Sequence, residues 1–512
     1  MCPKPREQNV DIQLDRDSNL PLYLQIRDQL RAAIARGDVV EGQRLPPERR
    51  LAEQLKVNRT TVVNAYRELA ADGLVEGYVG RGTVVRWTDA RLPQASGIRP
   101  MAWAQQFSTA FQWSGQALGQ EAADLAAEPG VISLASGVPA PELYPLDAFR
   151  TAGNRFLDGQ IRDLLAHCPV EGFQPLRQWL ADRLNADGAR LGAENVLITS
   201  GSTQGLALVS TALIEPGDEV AVETPSSLAA LQCFTLARAR LLGVPLDEDG
   251  LRTDILDSLL ERHHPKFLYT LPTFQNPTGI TLAHARREQL IRLAEKRALP
   301  IVEDDPYSTL YFDAPPPPQL KVLDEYGYVI YVGTLSKLLF PGLRLGWIAA
   351  PRPVIERLAL VKRNTDLFAN ILAQGAAWQF LTGLDWPAYL VGLRTAYRRR
   401  RDIMLEALRR HAPAGLRWRA PAGGFYIWAH LPAGVSAQSV LAEAHQTGVA
   451  FLPGEPFCVD GSGRGSVRLT FSYAPESDLE EGIRRFAQAL AGVLRRRGEG
   501  RTRSIVATRT VV

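Results

Sequence analysis

Cysteine is scarce. The 512 residues hold four, Cys2, Cys168, Cys233 and Cys458, and no two form a CxxC pair. Such spacing supports neither a disulfide framework nor a cysteine zinc site, and it fits a reducing, cytoplasmic compartment. Long apolar runs are missing too. No uninterrupted stretch approaches the ~18–20 residues of a membrane span. The opening MCPKPREQNVDIQLDRD is polar, without the apolar core of a secretory signal. An excess of one charge is also lacking, since 58 Lys and Arg face 55 Asp and Glu, a net +3. The chain as a whole therefore does not announce a nucleic-acid partner, and any such surface must be local. No internal repeat is visible. The length exceeds what one core organises and predicts roughly two to four domains.

Residues 1–86 read as three short helices and a hairpin. Ile26, Leu30 and Ile34 recur at helical spacing, as do Leu51 and Leu55 on a helix opened by Pro46-Pro47-Glu48. Val62, Tyr66 and Leu69 mark a third helix, ended by Asp72-Gly73. Leu74-Val75 and Val84-Val85 flank a Gly-rich turn, as two short strands would. A linker, 87–129, follows. It starts with ARLPQASGIRP and continues into Trp103, Phe107, Phe111, Trp113 and Leu118, a spacing that predicts partial helix.

Within the head, a tight turn at Lys56-Val57-Asn58 between two helices gives helix-turn-helix geometry. The second of these helices begins with Asn58, Arg59, Thr60 and Thr61, donors suited to phosphates and base edges. Arg81 stands between Gly80 and Gly82 at the hairpin tip, where bare backbone approaches a groove closely. A trihelical bundle with a solvated Arg face would show the same periodicity. The residues themselves go further. From Leu20 to Val85, PLYLQIRDQLRAAIARG, LPPERRLAEQL, NRTTVVNAYREL and GLVEGYVGRGTVV closely resemble the winged helix-turn-helix of GntR-type regulators. The resemblance implies double-stranded DNA as partner, with Arg49, Arg59, Thr60 and Thr61 on the DNA and Arg81 and Gly82 in the wing. Asn58 departs from the family, which often has Ser or Thr there, but an amide can still donate to phosphate.

From 130 to 494, VLITS, EVAVE, KFLYTL, LPIVED, YVIYVG and LGWIAA are β-rich runs separated mostly by helical stretches. That alternation predicts an α/β domain with a largely parallel sheet. The end, 495–512, carries six Arg against one Glu without periodicity and reads as a disordered basic tail.

Short motifs follow one another through this second domain. Thr199-Ser-Gly-Ser-Thr-Gln-Gly205 leaves a strand and opens a helix, a place for a phosphate dianion. Asn276-Pro277-Thr278-Gly279 follows another strand. Asp304 and Asp305 end PIVED, three residues before Tyr307, in the position of a ligand carboxylate or merely a helix cap. Thr334-Leu335-Ser336-Lys337 ends YVIYVG, with Arg344 seven residues on. A Lys between apolar flanks is costly unless it is exposed or covalently used.

In this order and spacing the motifs resemble the fold-type-I aminotransferases, over roughly Val131 to Gly492, with large and small subdomains. The resemblance implies pyridoxal 5'-phosphate (PLP) as cofactor. Lys337 would form the Schiff base, Asp304 pair with the pyridinium nitrogen, and Asn276 and Tyr307 hydrogen-bond the phenolic oxygen. Ser202, Thr203, Thr334, Ser336 and Arg344 would hold the phosphate, and Arg468 the carboxylate of an amino acid. Two positions depart from the family. Ser227 stands where an aromatic usually stacks on the pyridine ring. His167 stands where a Tyr usually reaches the neighbouring subunit's phosphate.

A GntR-type head before an aminotransferase-like body is the arrangement of the MocR subgroup of regulators. It implies a homodimeric, PLP-dependent transcriptional regulator that senses an amino acid, an amine or PLP itself. A catalytically active aminotransferase that carries a DNA-binding domain is the alternative. No metal is expected.

Overall fold

A computed structural model describes residues 12–15, 21–35, 38–39, 42–71, 73–78, 82–86, 124–159, 165 and 167–508. The chain divides into two compact units, Met1–Thr109 and Ala110–Val512.

In the first unit, helices α1 (Leu22–Ala35), α2 (Glu48–Leu55) and α3 (Arg59–Ala71) precede strands β1 (Val75–Tyr78) and β2 (Gly82–Val85). The predicted apolar stripes are its core: Ile26, Leu30, Ile34, Leu51, Val62, Tyr66 and Leu69 are all buried. α2 ends at Lys56 in the left-handed region (φ 53°), which reverses the chain sharply enough to start α3 three residues later. Tyr66 spans the two helices and donates to the Pro46 carbonyl at 2.7 Å. β1 and β2 pair antiparallel, with Val75 opposite Val85 and Tyr78 opposite Gly82. Helix-turn-helix and hairpin thus follow the sequence reading. Arg81 and the linker aromatics Trp103, Phe107, Phe111 and Trp113 lie outside the described residues.

The second unit holds an eight-stranded mixed sheet. Its order is Val196–Thr199, Gly346–Ala349, Val329–Thr334, Ile301–Asp305, Leu268–Thr270, Glu219–Thr224, Arg240–Asp247, Gly250–Leu251. The five strands from Val329–Thr334 to Arg240–Asp247 run parallel, and the remaining pairings are antiparallel. All six β-rich runs are strands here. The pair 240–247 and 250–251 was not among them. Val220, Val222, Tyr269, Val302 and Ile330 pack into one buried cluster, while Ala221, Leu268, Ile301 and Val329 pack into another. Successive residues point to opposite faces, so both faces are covered, and this is why the strands read as apolar runs.

A smaller antiparallel sheet, ordered Arg417–Trp418, Tyr426–His430, Ser466–Thr470, Leu452–Pro453, also belongs to the body. The 26-residue helix Trp386–His411 links the end of its strand Ser466–Thr470 to the segment Ala140–Glu142. From that helix Arg400 donates to the Phe471 carbonyl (2.9 Å) and to Glu142 (2.7 Å), and Tyr397 accepts from the Ala140 amide (3.3 Å).

Both ends of the body differ from the sequence reading. Leu125, placed in the linker, is buried in the main body cluster, so the body reaches further toward the N-terminus than 130. The last helix runs Leu479–Thr508, through most of the predicted tail. Arg and Glu are good helix formers, and the buried side of that helix, Ile483, Phe486, Leu490 and Val493, carries it outward.

Candidate functional site: a cofactor pocket at the strand ends

The C-terminal ends of the parallel strands converge where an open α/β sheet binds ligands. Asp304, paired in register with Val332, is 6% exposed at the end of its strand. Its Oδ2 accepts the Tyr269 hydroxyl at 2.7 Å, while Oδ1 is buried without a partner. Burial pushes the Asp304 carboxyl up to about 7, although Tyr269 and Lys337 pull the other way. A buried carboxylate oxygen left open costs ~1–3 kcal/mol, more when charged, so a protonated ring nitrogen fits there.

Lys337 lies just past the end of the neighbouring strand, Val329–Thr334. Its Nζ donates to the Gly137 carbonyl at 2.6 Å. Burial lowers its pKa from the ordinary lysine value; Arg468 and Arg344 add to this, and Tyr426 and Asp304 oppose it. A lysine biased toward the neutral amine is the nucleophile that carbonyl chemistry needs.

The turn Thr199–Gly201 leads into the helix Ser202–Leu213. Gly201 sits at φ +91°, and a Cβ there would stand 2.7 Å from Arg344 Nη2. The turn therefore admits the guanidinium, which donates to the Ser200 carbonyl at 3.1 Å. Ser202 is half-buried and Thr203 exposed on the first turn of the helix. Thr334 Oγ1 accepts the Ser336 amide at 3.1 Å and donates to Leu345 O at 3.2 Å, which fixes the loop before Lys337. An arginine from one loop set against two hydroxyl residues at a helix N-terminus on another suits a phosphate.

Arg468 is 6% exposed on the small sheet. It donates to Asn276 Oδ1 (3.0 Å) and to the Ala135 carbonyl (2.7 Å), and its Nε is buried without a partner. Tyr307 meets Tyr426, hydroxyl to hydroxyl, at 2.7 Å. Asn276, Asp304, Tyr307, Lys337, Arg344 and Arg468 thus gather around one pocket from segments up to 192 residues apart.

His167 is exposed, edge-on to Phe368 with ring centroids 6.3 Å apart, and takes no part in the pocket of its own chain. Ser227 is buried at the start of the helix Leu228–Leu236, where its hydroxyl supports Tyr269. Phe234, further along that helix, packs against Phe267 and Tyr269 with ring centroids 5.4 and 5.3 Å apart.

Sequence reasoning missed Tyr269, Tyr426 and the buried brace Glu223. Glu223 accepts from Thr270 Oγ1 (2.5 Å), Gln275 Nε2 (3.0 Å) and the Leu271 amide (3.2 Å). The available signals were a hydroxyl inside the apolar run KFLYTL and an aromatic pair after Gly423-Gly424.

In the head, Asn58, Arg59 and Thr60 are exposed, Thr61 is half-buried and Arg49 is exposed one helix earlier. Asn58 caps α3, its Oδ1 accepting the Thr60 amide and hydroxyl, both at 3.0 Å. Arg59 forks onto Glu48 at 3.2 and 2.9 Å. Gly82 opens strand β2.

Comparison with known proteins matches both units. The family described as "Aminotransferase class I and II" covers residues 129–486, and "Bacterial regulatory proteins, gntR family" covers 22–85. The HTH-type transcriptional regulator YisV of Bacillus subtilis is 34% identical over 93% of this chain and 97% of its own. Aromatic-amino-acid aminotransferase 1 of Thermococcus litoralis is 37% identical over 74% of this chain and 94% of its own. Among solved structures, the Thermus thermophilus alpha-aminoadipate aminotransferase LysN was crystallised with N-(5'-phosphopyridoxyl)-L-leucine. It superposes with a TM-score of 0.72 at 35% identity, covering 77% of this chain and 99% of that one.

Proposed function

Because this chain belongs to the aminotransferase class I and II family, with a gntR-family head in the MocR arrangement, we propose that it is a PLP-dependent sensor of an amino acid or amine that controls its own DNA binding. That it is a DNA-binding regulator with an aminotransferase-like domain, and that its cofactor is PLP, follow from family membership. The sensing is our reading.

The observation that carries it is the unpartnered Asp304 Oδ1 in a pocket that also holds the Lys337 amine and Arg468. Bound PLP supplies an electrophilic carbon and a ring that accepts electrons. Lys337 would hold it covalently and move protons at its Nζ. Asp304 would keep the ring nitrogen protonated. Ser202, Thr203, Thr334, Ser336 and Arg344 would anchor the phosphate, and Asn276 and Tyr307 would face the phenolic oxygen. Arg468 would grip the effector's carboxylate. An effector shifts DNA affinity only if it binds two states of the protein unequally. Arg49, Asn58, Arg59, Thr60, Thr61, Arg81 and Gly82 would carry the DNA contacts. Pairing into a homodimer, with His167 reaching the partner, is supported by exposed Leu165 and Leu367 on the segments that hold His167 and Phe368.

The deciding experiment titrates affinity for the chain's own upstream DNA against PLP, then against amino acids and amines at saturating PLP. Affinity that moves with an amino acid supports the reading; affinity that moves with PLP alone makes the cofactor the effector. Indifference to both refutes it. The second reading, an active aminotransferase, is favoured by the retention of Lys337, Asp304 and Arg468, and multiple-turnover formation of a 2-oxo acid would support it.

A further inference from the structure

The loop assigned above to the cofactor's phosphate is held from two sides at one residue. The Ser200 carbonyl accepts from Arg344 Nη2 at 3.1 Å, and the Ser200 amide donates to Gln204 Oε1 at 2.7 Å. Two successive peptides are thereby fixed, just before Gly201 turns through φ +91°. Their direction sets where the amides of Gly201, Ser202 and Thr203 point, the groups that a helix start leaves without a partner inside the helix.

Gln204 is itself held. Its Nε2 donates to Asp366 Oδ2 at 2.7 Å, and Asp366 Oδ1 accepts from Lys362 Nζ at 2.5 Å. Lys362 is fully buried in the last turn of the helix Arg352–Arg363, and Asp366 lies just past the end of that helix. The polarity of this chain has one solution. A lysine head and a backbone N–H only donate, and an ionised carboxylate only accepts. Asp366 therefore meets the NH2 end of Gln204, and the oxygen end is left for Ser200. Turned over, the same amide would set its NH2 against the Ser200 N–H and its oxygen against a carboxylate.

We propose that Gln204 and Asp366 are positioning residues for the phosphate of PLP. Asp366, anchored by Lys362, fixes which end of Gln204 faces Ser200, and Gln204 holds the loop in the form that receives the phosphate. Both act through the loop rather than on the cofactor. The inference rests on the reading of Ser202, Thr203 and Arg344 as the phosphate site.

The test compares PLP with pyridoxal, which has the same ring and aldehyde and lacks the phosphate. Equilibrium dialysis against the full chain measures both affinities. Gln204→Met keeps the length of the side chain and removes both of its hydrogen bonds, and Asp366→Asn removes the charge that orients it. Each should lower PLP affinity about tenfold, the loss of roughly one well-placed hydrogen bond, and leave pyridoxal affinity within about twofold of wild type. The double variant should lose no more than the worse single one, because both break the same chain. Wild-type PLP affinity in Gln204→Met overturns the proposal. So does an equal loss of pyridoxal, which would mark a general distortion of the pocket, and so does a double variant whose loss is the product of the two. If Asp366→Asn does not fold, because Lys362 is left buried without its counter-charge, Asp366→Asn combined with Lys362→Met removes that charge and carries the same expectation. A wild-type protein that binds pyridoxal as tightly as PLP refutes the phosphate reading itself. A wild-type preference for PLP that survives in the variants refutes only the roles of Gln204 and Asp366.

Discussion

Replacing Asp304 by Asn should make the cofactor-free protein more stable than wild type at about pH 8 and leave the two alike near pH 3, below the unfolded-state value. The carboxyl is pushed up to about 7 in the fold, first by burial, with Asp305 and Glu223 adding to it. In the unfolded chain it returns to ~3.9. Between these values the native state holds a proton that the unfolded state has released. Native stability therefore falls as pH rises through that window, and the loss is complete above the folded value. Three units at ~1.36 kcal/mol each set a ceiling of about 4 kcal/mol. Glu303, also buried and pushed up to about 7, gives wild type and variant the same additional slope, so their difference isolates Asp304. Asn can still accept the Tyr269 hydroxyl and has no charge to bury. Urea denaturation of the apoproteins at the two pH values measures the difference. Added PLP should then stabilise wild type more than the variant, because only a carboxylate matches a protonated ring nitrogen. An equal stability difference at both pH values would show that Asp304 ionises without penalty, and the argument from its open Oδ1 would fail.

Lys337→Ala should abolish the visible absorbance of the PLP adduct and leave the fold intact; an adduct still reducible by borohydride would reassign the lysine. Arg59→Ala should weaken binding to the operator by roughly 1–3 kcal/mol without altering PLP spectra. Unchanged affinity in an anisotropy titration would mean that α3 does not read the DNA. Gly201→Ala should lower PLP affinity at least tenfold, since the added carbon would stand 2.7 Å from Arg344 Nη2 at a backbone φ of +91°. Equilibrium dialysis showing wild-type retention would place the phosphate elsewhere.

The sequence by itself determined both architectures, because each follows from local spacing. Ile26, Leu30 and Ile34 make a buried stripe wherever a helix forms, and VLITS or YVIYVG must be covered on two faces. Asn58 capping Thr60 and Thr334 holding Ser336 are equally local, but the sequence reading assigns those residues to DNA and to phosphate and not to these contacts. The strand 240–247 was not legible, since its mixed burial gives no clean apolar run, and neither was its partner 250–251, only two residues long. Nor was the helical continuation to Thr508, where the buried face stops before the Arg-rich stretch. Only the tertiary structure decided what surrounds Asp304 and Lys337. Tyr269 reaches Asp304 from the neighbouring strand, and Tyr426 reaches Tyr307 from another sheet 119 residues away. A hydroxyl in an apolar run carries no mark of the partner it will meet. Its charge environment is set by groups that fall within a few ångströms only when the sheets pack, and that packing leaves Asp304 Oδ1 open and sets the Tyr426 hydroxyl against that of Tyr307.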